Sequence, residues 1–269
     1  MILPILTDAD FIKLYEFVRE YFGINLEKKR TLVEARLTFF ISQRGFHSFS
    51  EYLHVVTSNP QGDECTAMLN RLSTNYTFFF RESPALYVTA KTLLPEFVDK
   101  GVKKLHIWDA ACASGEEAYS LAMVLAQTPL VRLGIVDFSI FGTDINTELL
   151  AKARRGIYDG QQLAMIPPEY HKYIRSLGKE VRICRELSNK IKWQYENLMN
   201  TTYNSIWDII FCRNVMFYFK SATREQIVAK LYKSLRPGGY LILGSTENVD
   251  LERRLFEHLE PTIYRKPLC

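Results

Sequence analysis

The sequence predicts an α/β protein: a mostly parallel sheet flanked by helices, with a small antiparallel β insert and an all-helical N-terminal domain in front. Two observations predict this fold. From about residue 103 onward, apolar strand-like runs alternate with helical patterns, and that alternation gives a parallel sheet covered by helices. The first 80 residues show only helical spacing. We therefore divide the chain into a helical domain with its linker (1–82) and a sheet domain (83–269).

The helical domain is expected to contain four helices. Thr7 and Asp10 resemble a capping box ahead of the first helix, which stops at Gly23. Further helices are expected over 27–43, from Ser48 to about residue 59, and around Met68–Leu72.

The sheet domain is expected to contain four core strands, at 104–109, 136–142, 207–212 and 239–244, and helices at 116–127, 146–155 and 222–235. A last strand near Thr262–Arg265 should pair antiparallel with the fourth strand. Between about 160 and 196 the alternation is interrupted, and Val181–Cys184 and Lys190–Trp193 alternate with period two. This pattern predicts the antiparallel insert.

Composition limits the class of protein. The 269 residues are 47% hydrophobic and 24% charged, as in a soluble globular protein. No apolar run approaches the ~20 residues of a membrane span, and no signal peptide is apparent. Five cysteines without a CxxC pair predict reduced thiols, a cytoplasmic location and no structural zinc or other metal. Cys112 and Cys212 are interpreted as small buried residues rather than nucleophiles. A net charge of +4 is too small to indicate nucleic acid.

The loop Ala111–Gly115 follows the first core strand and consists of residues with small side chains. Small residues at a strand-to-helix turn let the backbone approach a bulky ligand closely. The loop lacks both G-x-G-x-x-G and G-K-[ST], so the dinucleotide and triphosphate motifs are absent. We interpret it as a nucleotide-cradling loop.

Asp144 ends the second core strand, roughly 30 residues further on. An acid at this place can accept the ribose hydroxyls of an adenosine group. The alternative is that Asp144 only caps the helix that starts near Asn146. The two features together favour ribose contact.

Three polar clusters complete the pattern, at Ser73–Glu82, at Asn197-Leu198 and at Phe211–Phe219. Asparagine and threonine side chains suit hydrogen bonds with an amino acid or an adenine edge, and the planar fork of Arg81 suits a carboxylate. Taken singly, Asn75 and Asn214 would be turn formers and Arg81 a domain-joining ion pair.

Five motifs, in order, resemble those of the CheR-type chemotaxis receptor methyltransferases, which use S-adenosylmethionine to esterify receptor glutamates. The motifs are T-N-x-T-x-F-F-R, A-C-A-S-G-E-E, T-D-I, C-R-N-V-x-x-Y-F and P-G-G-Y-L-x-L-G-x-x-E. The resemblance implies a class I S-adenosylmethionine-dependent methyltransferase sheet of Rossmann-like type, with S-adenosylhomocysteine as product. Cys112, Ala113 and Thr246 are mild departures from the family pattern.

The resemblance also implies residue roles. Arg81 and Tyr218 would lie beside the reacting groups as catalytic residues, and Glu117 would receive the ammonium of the cofactor. The residues expected to bind the cofactor are Asn75, Thr77, Arg81, Ala111, Gly115, Glu117, Asp144, Asn197, Leu198, Asn214 and Val215.

The segment 27–44 is basic, with five cations against two anions. It is either a solvated helix face or a docking face for an acidic partner. The resemblance makes that partner the cytoplasmic helical bundle of methyl-accepting chemotaxis receptors, with neither nucleic acid nor direct membrane insertion expected. The short, glycine-free segment Arg185–Asn189, read as the turn of the insert, predicts that the enzyme works without a C-terminal receptor tether; neutral drift is the alternative.

Two other functions were weighed. Ile166–Tyr170 superficially resembles the N-P-P-Y element of RNA or amide N-methyltransferases, but it does not follow the strand that ends at Cys212. We interpret it as a proline-initiated helix start. A non-catalytic S-adenosylmethionine sensor is the second alternative, and Arg81 and Tyr218 argue against it.

Overall fold

The computed structural model describes residues 3–200, 207–247 and 255–268. The N-terminal domain contains α1 (Asp8–Phe22), α2 (Arg30–Gln43), α3 (Phe49–Ser58) and α4 (Asp63–Leu72). Thr7 Oγ1 accepts the N–H of Asp10 at 3.1 Å and donates to its carboxylate at 2.7 Å. The predicted capping box is confirmed, as are the four helices, although α2 starts three residues later than expected.

A helical segment that the sequence pattern did not predict begins the sheet domain and packs into its core. It comprises α5 (Pro84–Val88), a π-helical turn (Thr89–Leu93) and α6 (Leu94–Asp99). Just before it, Phe80 and Glu82 adopt left-handed φ values of 59° and 46°. Residues with a Cβ rarely hold this conformation unless their surroundings enforce it.

The main sheet has seven strands in the order β6-β2-β1-β7-β8-β10-β9. The first five are mutually parallel, and β10 is antiparallel to both of its neighbours. The four predicted core strands and the final antiparallel strand are confirmed. The strands are β1 (Lys104–Ala110), β2 (Asp137–Asp144), β6 (Ile191–Tyr195), β7 (Trp207–Cys212), β8 (Leu235–Leu243), β9 (Glu257–Glu260) and β10 (Ile263–Arg265).

Helices cover both faces of the sheet. They are α7 (Glu116–Gln127), α8 (Pro129–Arg132), α9 (Thr147–Arg155), α10 (Arg185–Ser188) and α11 (Ser221–Ser234). The central strands β1 and β7 are buried along almost their whole length, as expected for parallel strands covered on two sides. The helical domain has a separate apolar core, formed by α1 to α4.

The insert differs from the prediction. It is a three-stranded antiparallel sheet of β3 (Ile157–Asp159), β4 (Ile174–Leu177) and β5 (Glu180–Ile183), in the order β3-β5-β4. Lys190–Trp193 was wrongly assigned to it, because β6 pairs parallel with β2 at the edge of the main sheet. An edge strand with one exposed side shows the same period-two pattern as an antiparallel strand, so the pattern alone could not distinguish them.

Arg185–Asn189 is therefore not the turn of the insert. This segment contains α10 and connects the insert to β6, whereas the hairpin turn between β4 and β5 is Gly178-Lys179 and includes a glycine. The premise of the tether-free prediction is therefore wrong.

Three smaller expectations can be compared with the structure. Pro168 starts a 3₁₀ turn (Pro168–Tyr173), which confirms the proline-initiated helix start. Cys65, Cys112, Cys184 and Cys212 are free thiols, and Cys112 and Cys212 are buried as expected. Within the described ranges, no helix combines the length and apolarity needed to cross a bilayer.

Candidate functional site

A cavity of about 420 Å³ lies at the carboxyl ends of β1, β2 and β7, between the sheet and the helical domain. Among the predicted site residues, Gly115 alone does not line it. Those that do are Asn75, Thr77, Arg81, Ala111, Glu117, Asp144, Asn197, Leu198, Asn214, Val215 and Tyr218. Parallel strands place their carboxyl ends at one edge of a sheet, which is where ligands bind in such folds.

The loop after β1 is shaped by left-handed backbone conformations. Ala111 and Ala113 have φ values of 71° and 49°, and the N–H groups of Ala111 and Cys112 both donate to the carbonyl oxygen of Thr143. Burial and nearby carboxylates raise the pKa of the Cys112 thiol well above its ordinary value. Cys112 is therefore held as a neutral thiol and is not poised as a nucleophile.

Gly115 serves the packing behind this loop. Its φ is 90°, and a Cβ there would lie 2.7 Å from the indole of Trp193 and 2.9 Å from the Cβ of Ala153. The absence of a side chain at Gly115 lets α7 start close to β6, and contact between Gly115 and the cofactor stays a prediction.

Asp144 is 6% exposed and faces the cavity. Its Oδ2 accepts the N–H of Ala113 and its Oδ1 accepts the N–H of Asn146, both at 2.8 Å. Each oxygen keeps a further lone pair for another donor. The alternative that Asp144 caps α9 is wrong, because the N-cap is Asn146, whose Oδ1 accepts the N–H of Leu149 at 3.0 Å. Burial raises the pKa of Asp144.

A buried ionic network, which sequence reasoning missed, forms the floor of the cavity. The side chain of Arg213, 1% exposed, lies between Glu117 and Glu82, with its Nη2 3.1 Å from Glu82 Oε2. Burial and then the charge of Glu117 raise the pKa of the neighbouring Asp109 well above its ordinary value, and burial also raises the pKa of Glu117. The positive charge of Arg213 opposes this rise of the pKa at both carboxyl groups.

In the sequence, only the positions of Glu82 and Arg213 next to predicted site residues pointed to this network. Arg213 lies within the C-R-N-V-x-x-Y-F motif beside Asn214, and Glu82 directly follows Arg81 at the end of the T-N-x-T-x-F-F-R motif. The sequence separation of 131 residues concealed that they form an ion pair.

The side chains lining the cavity fit an S-adenosylmethionine molecule. The amide nitrogen of Asn75 donates to Ser73 Oγ at 2.8 Å, and that of Asn214 donates to Glu82 Oε1 at 3.1 Å. Each amide thus keeps its carbonyl oxygen as an acceptor. Acceptors of this kind match the donors of the cofactor, which are its ribose hydroxyls, its adenine amine and its ammonium.

Arg81 and Tyr218 both line the cavity and are tied to the linker between the domains. Arg81 Nη1 donates to the carbonyl of Tyr76 at 2.5 Å, and its Nε lies 3.8 Å from Glu82 Oε1. The Tyr218 hydroxyl donates to the carbonyl of Thr74 at 2.7 Å. Burial raises the pKa of Tyr218, so its phenol stays protonated at neutral pH.

Asn197 and Leu198 form the wall that touches the helical domain. Asn197 Nδ2 donates to the carbonyl of Tyr21 at 2.9 Å, and its Oδ1 accepts the N–H of Met199 at 2.9 Å. Leu198 is buried. Both groups of the Asn197 amide are thus committed to protein contacts.

Three of the five cations in the basic segment have internal partners. Arg30 contacts Asp8 and Glu34, and Arg44 contacts Glu64. Arg36 donates to the carbonyls of residues 71, 72 and 73 at the end of α4. Lys28 and Lys29 remain exposed, and Lys29 also lines the cavity.

The family comparisons cover both domains. Residues 9–73 match the model described as "CheR methyltransferase, all-alpha domain", and residues 75–265 match "CheR methyltransferase, SAM binding domain". A chemotaxis protein methyltransferase of Borreliella burgdorferi is 32% identical over 97% of this chain and 95% of its own length. That of Escherichia coli K12 is 35% identical over 96% and 91%.

Among solved structures, PKMT2 from Rickettsia typhi in complex with AdoHcy is 13% identical and has a TM-score of 0.38, covering 63% of this chain and 26% of that one. The two family models leave only short stretches of the chain unmatched, and the curated relatives match it almost from end to end. The chain therefore belongs to the CheR family of chemotaxis protein methyltransferases, and S-adenosylmethionine is its cofactor.

Proposed function

We propose that this enzyme transfers the methyl group of S-adenosylmethionine to glutamate side-chain carboxylates of methyl-accepting chemotaxis receptors, forming glutamate methyl esters and S-adenosylhomocysteine. One observation carries the proposal. A single cavity joins the acidic residues suited to the cofactor, Asp144 and Glu117, to an anchored arginine, Arg81, that suits an incoming carboxylate. The name of these relatives, chemotaxis protein methyltransferase, supports the receptor as substrate.

The proposed reaction requires no proton transfer by the protein. When bound, S-adenosylmethionine supplies an electrophilic methyl group on a sulfonium. A glutamate carboxylate with an ordinary pKa of about 4.3 is ionised at neutral pH, so no base has to activate it. The enzyme's task is to hold the carboxylate in line and to exclude water from it.

The residues at the cavity suit this task. Arg81 is held by the carbonyl of Tyr76, which limits the positions that its guanidinium can take. Tyr218 is fixed through Thr74 and keeps its ring in the cavity wall. We assign Arg81 to orientation of the acceptor carboxylate and Tyr218 to shaping the path between acceptor and methyl group.

Binding of the cofactor is assigned to the acidic end of the cavity. Asp144 would accept the ribose hydroxyls, and Glu117, beside Arg213, would receive the ammonium. The carbonyl oxygens of Asn75 and Asn214 remain for the other donors of the cofactor.

Receptor docking is assigned to two residues of the basic segment, whereas the sequence suggested the whole segment 27–44. Lys28 and Lys29 are exposed beside the cavity mouth, whereas Arg30, Arg36 and Arg44 are engaged within the domain. The two lysines would meet the acidic surface of the receptor's helical bundle, because charges at an interface rim mainly guide association.

Methyl transfer to purified receptor cytoplasmic domains tests the proposal. With labelled S-adenosylmethionine, we expect label to enter the receptor and to be released as methanol by mild alkali, because esters are hydrolysed and N-methyl groups are not. Receptors with glutamine at the modified positions serve as the matched control. Alkali-stable label, or label that the glutamine control also takes up, would show that the acceptor is not a glutamate carboxylate.

A further inference from the structure

Glu247, four residues past the end of β8, is 8% exposed, and its carboxylate accepts four backbone hydrogen bonds. The donors are the N–H groups of Gly244, Asn214, Val215 and Met216, at distances of 2.8, 2.8, 2.7 and 2.7 Å. A buried carboxylate with this many partners organises the backbone around it, because each partner would otherwise be left without a hydrogen bond.

The segment that Glu247 holds is strained. Asn214 has a φ of 57°, in the left-handed region, and a 3₁₀ turn (Met216–Tyr218) follows directly. Three consecutive N–H groups at the start of such a turn point the same way and need an acceptor. Glu247 supplies that acceptor from a neighbouring strand end.

The strain has a consequence for the cavity. Asn214 and Val215 line the cavity and Tyr218 ends the turn, whereas Glu247 is not among the cavity's lining residues. On the other side of the turn, Glu82 accepts from the Asn214 amide and from the N–H of Ser245. The turn is therefore held by two carboxylates, that of Glu82 from the linker and that of Glu247 from the loop after β8.

We propose that Glu247 is a positioning residue, which sets the cofactor-binding conformation of the turn 214–218 through its backbone. A Gly244 side chain would meet the same group, since a Cβ there would lie 2.8 Å from Glu247 Oε2 and from Asn214 Nδ2. The absence of a side chain at Gly244 thus lets the carboxylate reach all four donors. The proposal concerns cofactor binding and does not depend on which acceptor is methylated.

The experiment combines affinity with hydrogen exchange. Glu247→Gln keeps the size of the side chain but replaces one acceptor oxygen with a donor, so we expect affinity for S-adenosylmethionine to fall by about tenfold or more in calorimetry. The amide hydrogens of residues 214–216 should exchange slowly in the unchanged protein and fast in the variant. Glu260→Gln, on exposed β9, controls for the change of charge.

A second control separates positioning from general loss of stability. Val56→Ala creates a cavity in the core of the helical domain, away from the site, and should lower Tm without changing affinity. Wild-type affinity in folded Glu247→Gln, or an equal affinity loss in Val56→Ala, would overturn the proposal. Fast exchange of amides 214–216 in the unchanged protein would overturn it as well, even if no variant folds.

Discussion

Asp144 Oδ2 accepts the backbone N–H of Ala113 at 2.8 Å, and this bond ties the end of β2 to the loop that follows β1. The acid therefore has two tasks at once: it holds the loop in its left-handed conformation and offers its remaining lone pairs to the cavity. This double role makes it the first residue to test.

Asp144→Ala should weaken binding of S-adenosylmethionine by roughly 1–3 kcal/mol, because buried donors of loop and ligand lose their acceptor. Asp159→Ala is the matched control, since Asp159 also ends a strand and accepts a backbone N–H but lies in the insert. Calorimetry decides the matter, and an affinity unchanged in Asp144→Ala would remove the residue from the cofactor site.

Arg81→Ala and Tyr218→Phe should lower the methylation rate more than they lower cofactor affinity. We expect a loss of about 10²-fold for Arg81→Ala, the size of effect that misplaced reacting groups produce, and a smaller loss for Tyr218→Phe. Steady-state kinetics with calorimetry of the same proteins separates the two quantities, and Tyr15→Phe in the helical domain is the control. A drop in affinity that accounts for the whole rate loss would make both residues simple binding groups.

Cofactor affinity should fall as the pH is lowered, at a higher pH than a free glutamate would require. Burial raises the pKa of Glu117 above its ordinary value of 4.5, so falling pH protonates it early and removes the charge that attracts the ammonium. Glu117→Gln should bind more weakly at neutral pH. Between neutral and acidic pH its affinity should depend less on pH than that of the unchanged protein, by up to one proton. Calorimetry across this range measures both, and an unchanged slope in the variant would contradict the role of Glu117.

Charge reversal at Lys28 and Lys29 should raise KM for the receptor several-fold, and added salt should have the same effect on the unchanged enzyme. Reversal at Lys28 alone should leave cofactor affinity unchanged, because Lys29 lines the cavity and Lys28 does not. Lys233→Glu on α11 reverses an exposed charge elsewhere and is the control. Receptor kinetics that do not respond to salt would exclude this docking face.

Arg36 should respond differently from the two lysines. Because its guanidinium caps the carbonyls at the end of α4, Arg36→Ala should lower the free energy of unfolding by about 1–2 kcal/mol. Thermal or denaturant unfolding measures this loss, and a variant as stable as the unchanged protein would show that the cap contributes nothing.

Most of the sheet could be predicted from the sequence, because buried parallel strands appear in it as runs of mostly apolar residues. The strands β1 and β7 are mostly apolar and mostly buried. The helix α7 was predicted with its observed bounds, since helical spacing and the small-residue loop before it both mark its start. The edge strand β6 was placed in the wrong sheet because alternation reports one exposed face and says nothing of the partner strand.

The site was predictable where chemistry and local position coincide, as at Asp144 and Asn214. It was not predictable where function depends on a distant partner. The contacts of Arg213 with Glu82 and of Glu247 with Asn214 join residues that are far apart in sequence. Arg36 was likewise predicted to be part of the docking surface, because the sequence does not show that its guanidinium binds the carbonyls at the end of α4.

The helical domain supplies one side of the cavity through Phe22, Ile24, Leu26, Lys29 and Leu32. Without these residues the sheet domain would present its acidic floor to bulk water, and an acceptor carboxylate would meet the methyl donor in its hydrated form. The N-terminal domain thus forms part of the cavity itself, in addition to its proposed role in receptor docking. A chimera that combines the helical domain of one relative with the sheet domain of another should therefore lose activity. Activity should be kept when the residues of the helical domain that line the cavity come from the same protein as the sheet domain.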